Sequence, residues 1–238
     1  MNAGLIIYNE KGGVVLDSTN PQYRFVRKVN LAMFSPAPST PYWKSYRADI
    51  TEDFKDTCII VVEYPEGKTG SYKVTTSGGR YYVTSMFGSS DITLQVFATP
   101  PVCYIFSDAP PPSTASNFGM EITNEFGEAI LNTDYPLLKV NDFRAITTIG
   151  SAMWYPVWTH VGPSTDQLLV IETKAGQTAQ GYSSEGFYVE GWSIETKNEG
   201  GSFYIRAAAY SQSMGESEVE QTIAMQVRVI LIQKPIGI

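Results

Sequence analysis

Short apolar runs separated by Gly-, Pro- and Asn-rich turns recur along the chain, and no segment keeps a sustained helical period. Leu5-Ile6-Ile7-Tyr8, the turn from Asn9 to Gly13, and Val14-Val15-Leu16 predict a β-hairpin with glycine in its turn. Cys58 to Tyr64 is a continuous apolar run, the pattern of a strand covered on both faces. Arg80 to Met86 and Ile92 to Ala98, joined by FGSS, predict a second hairpin. Their later counterparts are Ser202 to Ala208 and Ile223 to Gln233. In the last of these, Met225, Val227, Val229 and Leu231 alternate with Gln226, Arg228 and Ile230, as in a strand with one wetter face. The fold class this predicts is all-β.

The same layout occurs twice. GLIIYNEKGGVVLDST (4–19) aligns without gaps to GMEITNEFGEAILNTD (119–134), Gly4 on Gly119 and Leu16 on Leu131, an offset of 115. Pro41-Tyr42-Trp43 falls on Pro156-Val157-Trp158 at the same offset. CIIVVEYPEGKT (58–69) matches QLLVIETKAGQT (167–178) at 109, GGRYYV (78–83) matches GGSFYI (200–205) at 122, and ITLQV (92–96) matches IAMQV (223–227) at 131. Five matches in one order predict two tandem, homologous β-sandwich-like domains: 1–110, a Pro-rich linker at 111–118 within SDAPPPSTASNF, and 119–238. The drop from 115 to 109 places extra residues of the first copy around ADITEDFKDT (48–57), expected as a helical turn. The rise from 109 to 122 places thirteen extra residues within GYSSEGFYVEGWSIETKNE (181–199), enough for an added hairpin. The rise to 131 places nine more in the acidic loop SQSMGESEVEQT (211–222).

Composition agrees with β structure: aromatics are 13% of residues, with Gly 20 and Pro 14 to serve the turns. Residues 1–110 carry ten Lys/Arg and ten Asp/Glu, whereas 111–238 carry seven and fourteen, so the whole net charge of −7 lies in the second copy. An acidic chain without clustered Lys/Arg is not built to neutralise phosphates, so no nucleic acid is expected. No apolar run reaches bilayer length, and the N-terminus lacks the basic start of a signal peptide; the expectation is a protein made in the cytoplasm, without membrane insertion. Cys58 and Cys103 are expected as buried free thiols.

Candidate chemistry is sparse. His160 has no nucleophile elbow beside it, and the first copy has Ser45 at the equivalent position, so it reads as an ordinary histidine. Two Cys and one His at unrelated spacings make no zinc site, and no cofactor is expected. Glu63 and Glu172 are repeated, but lying in different domains they cannot flank one glycosidic bond; with Glu10 and Glu125 they read as solvated turn acids. Asp17 and Asn132 suit Asx-turns, and Gly78-Gly79 and Gly200-Gly201 precede strands, so they are not phosphate loops. Trp43 and Trp158 are repeated and read as structural, whereas Trp154 and Trp192 are not repeated. The candidate interaction residues are therefore those only one copy has: Trp192, Tyr182, Phe187 and Tyr188 in the inserted hairpin, and Glu216 and Glu218 in the acidic loop.

GLIIYNEKGGVVLDST followed by YRFV resembles the start of small proteins encoded in the tail-tip and tail-fibre region of siphophages and prophages, which open with the same Gly-apolar-Asn-Gly-Leu-Asp-Ser/Thr pattern. The resemblance covers about the first 30 residues and, more weakly, the matching part of the second copy. It implies a virion structural protein without catalytic residues, assembling with other tail proteins as a symmetric homo-oligomer, ring or trimer. The neutral copy would dock and the acidic copy would project. The alternative is a host-surface module binding glycan or receptor through the second domain; capsid decoration and a glycan-degrading enzyme rank below it.

Overall fold

The computed structural model describes residues 6–8, 14–17, 23–34, 45–53, 57–86, 99–109, 121–123, 127, 129–132, 134–149, 155–158, 167–171, 178–183, 186–213 and 224–235. Among these residues the fold is all-β, and no helix is long and apolar enough to cross a membrane. The first half forms β1 (Ile6–Tyr8), β2 (Val14–Asp17), β3 (Arg24–Asn30), β4 (Ala32–Phe34), β5 (Ser45–Asp49), β6 (Ile59–Glu63), β7 (Thr69–Ser77), β8 (Arg80–Met86) and β9 (Val102–Ser107). The second forms β10 (Glu121–Thr123), β11 (Ala129–Asn132), β12 (Val140–Ile149), β13 (Tyr155–Trp158), β14 (Gln167–Ile171), β15 (Thr178–Ser183), β16 (Gly186–Glu199), β17 (Ser202–Ser213) and β18 (Ala224–Gln233).

Strand pairing runs in parallel through the two halves. In the first hairpin Ile7 lies opposite Leu16 and, across a bulge, Tyr8 opposite Val14; in its counterpart Ile122 lies opposite Leu131 and, across a bulge at the same place, Thr123 opposite Ala129. The sheet β3-β9-β6 matches β12-β18-β14. Phe106 stands between Phe25 and Ile59 as Ile232 stands between Val140 and Leu168, and a bulge follows both Phe25 and Val140. The hairpins β7-β8 and β16-β17 turn on Gly78-Gly79 and Gly200-Gly201, with φ of 58° and 75° in each case. Two successive positive φ values define the type I′ turn that suits strand twist, which only glycine and a few polar residues adopt easily.

Among the described residues, backbone hydrogen bonding or strand pairing joins the halves at two edges. β7 pairs with β16, Gly70 opposite Thr196 and Thr69 opposite Lys197, which merges the outer strands into one eight-stranded sheet, β4-β5-β8-β7-β16-β17-β13 with β15 beside β16. Ahead of β12, Leu138 N–H donates to Tyr23 O and Phe25 N–H to Pro136 O, both at 2.8 Å. Tyr23 and Leu138 are related by the 115-residue offset, so equivalent residues face each other there.

Both faces of β6 and β9 are buried, which is why these strands read as unbroken apolar runs. Val62, Cys103 and Ile105 pack on one side with Tyr46, Ala48 and Val83 of the outer sheet. Val61, Tyr104 and Phe106 pack on the other side, with Phe25, against Leu168 and Ile232 of the second half. The packing is therefore sheet on sheet on sheet, with the first half's inner sheet in the middle.

The register departs from the sequence matching in two places. β5 and β13 are aligned by their partners at an offset of 107, with Asp49 opposite Tyr82 and Pro156 opposite Tyr204. The first half's extra residues therefore lie mainly ahead of β5, between β4 and β5. The counterpart of β18 is β9, at an offset of 126 between Phe106 and Ile232. β9 escaped the sequence reading because Pro100-Pro101 precede it and the ITLQV match pointed elsewhere. Residues 92–98 and 41–43 lie outside the described residues. Within 48–57, expected to hold a helical turn, Asp53 N–H donates to Ile50 O (3.1 Å) in a turn; residues 54–56 lie outside the described residues.

Candidate functional site

Polar side chains from both halves meet at the seam between them. Glu63 closes β6 beside Tyr104 on β9, and the Tyr104 hydroxyl donates to Glu63 Oε2 at 2.9 Å. Lys234, just past β18, donates from Nζ to Glu63 Oε1 at 2.5 Å. Burial, reinforced by the Glu63 charge, pushes the Tyr104 hydroxyl pKa up. Both oxygens of Glu63 are thus engaged in tying β6 to the end of β18. This differs from the solvated turn acid expected for it, because the second half supplies a cation that no local pattern reveals. Nearby, Gly67 N–H donates to Asn198 O (2.8 Å) and Gly200 N–H to Glu66 Oε1 (3.2 Å), so the β6–β7 turn and the β16–β17 turn hold each other. Tyr64, Leu168, Lys197, Asn198 and Phe203 border a recess of about 20 Å³, room for a water and not for a substrate.

Glu195 on β16 is fully buried, and Arg206 lies directly opposite on β17 with Nε donating to Glu195 Oε2 at 2.5 Å. At the 122-residue offset the first half has Lys73 opposite Thr84. Comparing those two pairs in sequence would have singled out this ion pair; strand signals alone did not. The neighbouring Tyr64 hydroxyl is hydrogen-bonded to Ser85 Oγ (2.9 Å), and burial raises its pKa strongly, as it does for Tyr72, whose hydroxyl donates to Ile60 O (2.7 Å).

The first half also carries paired charges. Arg27 pairs with Asp53 through Nε (2.7 Å) and Nη2, which raises the guanidinium pKa. Asp49 accepts from the Thr51 hydroxyl (2.6 Å) and the Thr51 N–H (2.9 Å), and these bonds, with Arg80 at 2.9 Å, lower its carboxyl pKa. Arg47 lies between two rings, its guanidinium carbon 3.2 Å from the Tyr82 centroid and 4.7 Å from that of Phe34, a cation–π stack across three adjacent strands. Both cysteines are free. Cys103 is buried, and burial pushes its thiol up to about 12, so it is not a nucleophile at neutral pH.

The inserted hairpin is formed by β15 and β16, with Tyr182 opposite Phe187 and Gly181 opposite Tyr188. Trp192 follows four positions along β16, opposite Ala209 of β17. Three of the expected aromatics thus share one hairpin, and the fourth lies on the strand that carries it into the sheet. Glu216 and Glu218 lie outside the described residues, as do His160, Trp43, Trp154, Glu10, Glu125 and Glu172. Trp158 stands on β13 opposite Phe203. Asn132 makes the expected Asx-turn, its Oδ1 accepting from Asp134 N–H (2.9 Å). Among the described residues no three His, Cys, Asp or Glu side chains are grouped to hold a metal ion.

No protein-family model matches the sequence, and comparison with curated proteins and with solved structures gives no significant match.

Proposed function

We propose that the chain is a structural protein of a phage virion, in the tail-tip or tail-fibre region, acting by protein–protein assembly and not by catalysis. It consists of two tandem, homologous β-sandwich-like domains, 1–110 and 119–238, joined by the Pro-rich segment 111–118. The observation that carries the reading is the parallel between the halves. Strand order, register, two bulges and a glycine turn recur, and the halves associate edge to edge through the equivalent strands β7 and β16. A module that docks on its own equivalent is suited to a symmetric ring, trimer or other homo-oligomer among tail proteins. Resemblance of the opening hairpin to tail-region proteins supplies the setting. The buried polar groups described above serve packing: Glu63, Glu195 and the buried tyrosines are each committed to a structural partner. The test is mass spectrometry of purified particles of the source phage, in which the protein is expected at a copy number matching the tail symmetry. Its absence from intact virions defeats the reading.

A second reading, recognition of a host-surface glycan or receptor by the second domain, draws on one observation. Among the described residues the aromatic hairpin β15–β16 has no counterpart in the first half. Rings on a projecting hairpin stack on sugars or anchor interfaces. The intact protein is expected to bind whole host cells or arrayed glycans and to lose binding in Trp192→Ala with its melting temperature unchanged. Equal binding by the variant removes this reading.

A further inference from the structure

β12 is the outermost strand of its sheet: it pairs with β18 along one edge, and among the described residues no strand pairs with the other. Val140 and Phe143 on this strand are each 53% exposed. The bulge at Asn141 brings them to the same face, since Val140 lies opposite Ile232 and Phe143 opposite Ile230. An open edge with apolar side chains beside it is a ready template for another strand, and proteins that must avoid such pairing place a charge there. The first half does so: the 115-residue offset puts Lys28, exposed on β3, where the second half has Phe143.

We propose that β12 is a self-association edge, through which two copies of this chain pair β12 to β12, antiparallel, about a two-fold axis at Phe143. The residues around that axis are self-complementary. With Phe143 opposite Phe143, Asp142 of each copy lies opposite Arg144 of the other, and Asn141 lies opposite Ala145. Opposite charges and aromatic pairs directly across an antiparallel ladder are the favourable cross-strand combinations. Within one chain Arg144 Nε is 3.2 Å from Asp142 Oδ2, and its Nη1 donates to Val157 O at 2.5 Å. A guanidinium has five N–H donors, so Arg144 can take a second carboxylate and keep the first. Charge does not oppose the contact. Residues 139–146 contain Lys139, Asp142 and Arg144, a net of +1 within the half that carries −7. The chain also joins its own halves in this manner twice, through β7 with β16 and through the facing equivalents Tyr23 and Leu138.

The inference goes beyond the assembly reading by naming the surface and the occupant, and it is tested on the purified protein alone, so its failure is distinct from absence of the protein in virions. A two-strand contact is small, so a weak dimer is expected. Sedimentation velocity from about 1 to 500 µM should show a monomer–dimer equilibrium, weakened tenfold or more by Asp142→Arg or by Phe143→Lys. Asp142→Arg and Arg144→Asp should each be monomeric alone and form a heterodimer when mixed, because the mixture restores both opposite-charge pairs. Should Arg144→Asp fail to fold, Phe143→Cys decides. Mild oxidation should link two copies through the axis, while Asn141→Cys should link at less than a tenth of that rate. A strictly monomeric protein overturns the proposal. So does a dimer insensitive to Asp142→Arg and Phe143→Lys, or a Phe143→Cys variant that does not cross-link.

Discussion

Gly70→Ala probes the joint between the halves. Gly70 lies on β7 opposite Thr196 of β16, and the Tyr64 ring passes directly over it. A Cβ added there would lie 2.4 Å from Tyr64 Cε1, 2.6 Å from Cζ and 3.0 Å from the hydroxyl oxygen. Carbon atoms pack at about 3.5–4.0 Å, so the ring would have to retreat by about 1 Å. It has little freedom to do so, because Tyr64 is 5% exposed and its hydroxyl is hydrogen-bonded to the fully buried Ser85. Overpacking of this kind costs about 1–3 kcal/mol, and loosening a buried hydrogen bond about 1 kcal/mol more. Alanine returns about 0.5–1 kcal/mol by restricting the unfolded chain. The expected net loss is about 1–3 kcal/mol, or about 2–10 °C in Tm for a chain of this length. Thermal unfolding followed by circular dichroism and urea titration would measure it. The effect should disappear in a Tyr64→Val background, giving a coupling of about 1 kcal/mol or more. A Gly70→Ala variant that melts at or above the parent temperature would refute the account, since the ring would then be free to move.

Arg206→Ala leaves the Glu195 carboxylate buried without its cation, and a loss of about 3–5 kcal/mol is expected by urea unfolding; replacing both partners with leucine should cost markedly less. Lys234→Ala removes the cation from Glu63 at a site about one-fifth exposed, and solvent screening limits the expected loss to about 1 kcal/mol, measurable by a double-mutant cycle with Glu63→Gln. Burial raises the pKa of Tyr64, Tyr72, Tyr104 and Cys103 above the ordinary values of 10.0 for tyrosine and 9.0 for cysteine, so the folded state keeps protons that the unfolded chain releases. Stability should therefore be intact below about pH 9 and fall progressively above it. Absorbance at 295 nm should show these tyrosines ionising only as the protein unfolds.

The all-β class and most strands were legible in the spacing of apolar runs, because antiparallel strands impose alternation and turns impose glycine. Gly78-Gly79 and Gly200-Gly201 stand directly ahead of strands, as expected. The hairpins they turn, β7–β8 and β16–β17, were not read from the sequence, which paired Arg80–Met86 with Ile92–Ala98 instead. β9 was missed although VCYIF is strongly apolar: its partners, β3 and β6, lie about 40 to 80 positions away in sequence, and no local signal names them. The seam was illegible for the same reason. Lys234 and Glu63 are separated by 171 positions, and Glu195 reads as a surface acid until Arg206 is placed across the ladder. The difference between Lys28 and Phe143 at the 115-residue offset is visible in the sequence, but it gains meaning only once β3 and β12 are both seen as outermost strands among the described residues.

The same exchange logic bears on Trp192. At the 122-residue offset set by β8 and β17, Trp192 occupies the register position of Gly70. At the 109-residue offset set by β6 and β14, Tyr64 corresponds to Thr173. The first half therefore has no side chain at the first position and a ring at the second, and the second half has a ring at the first and the smaller threonine at the second. Reciprocal exchange of a large and a small residue at neighbouring positions is the signature of conserved volume in a packed layer, where overfilling and voids are both penalised. The exchange predicts a packing role for Trp192, which would leave Tyr182, Phe187 and Tyr188 as the residues distinctive of the inserted hairpin. The Trp192→Ala experiment separates the two roles by its melting temperature. A packing role predicts a loss of about 3–5 kcal/mol that brings down fold and binding together. A recognition role predicts binding lost at unchanged stability, and in that case the hairpin and the strand it extends form one surface.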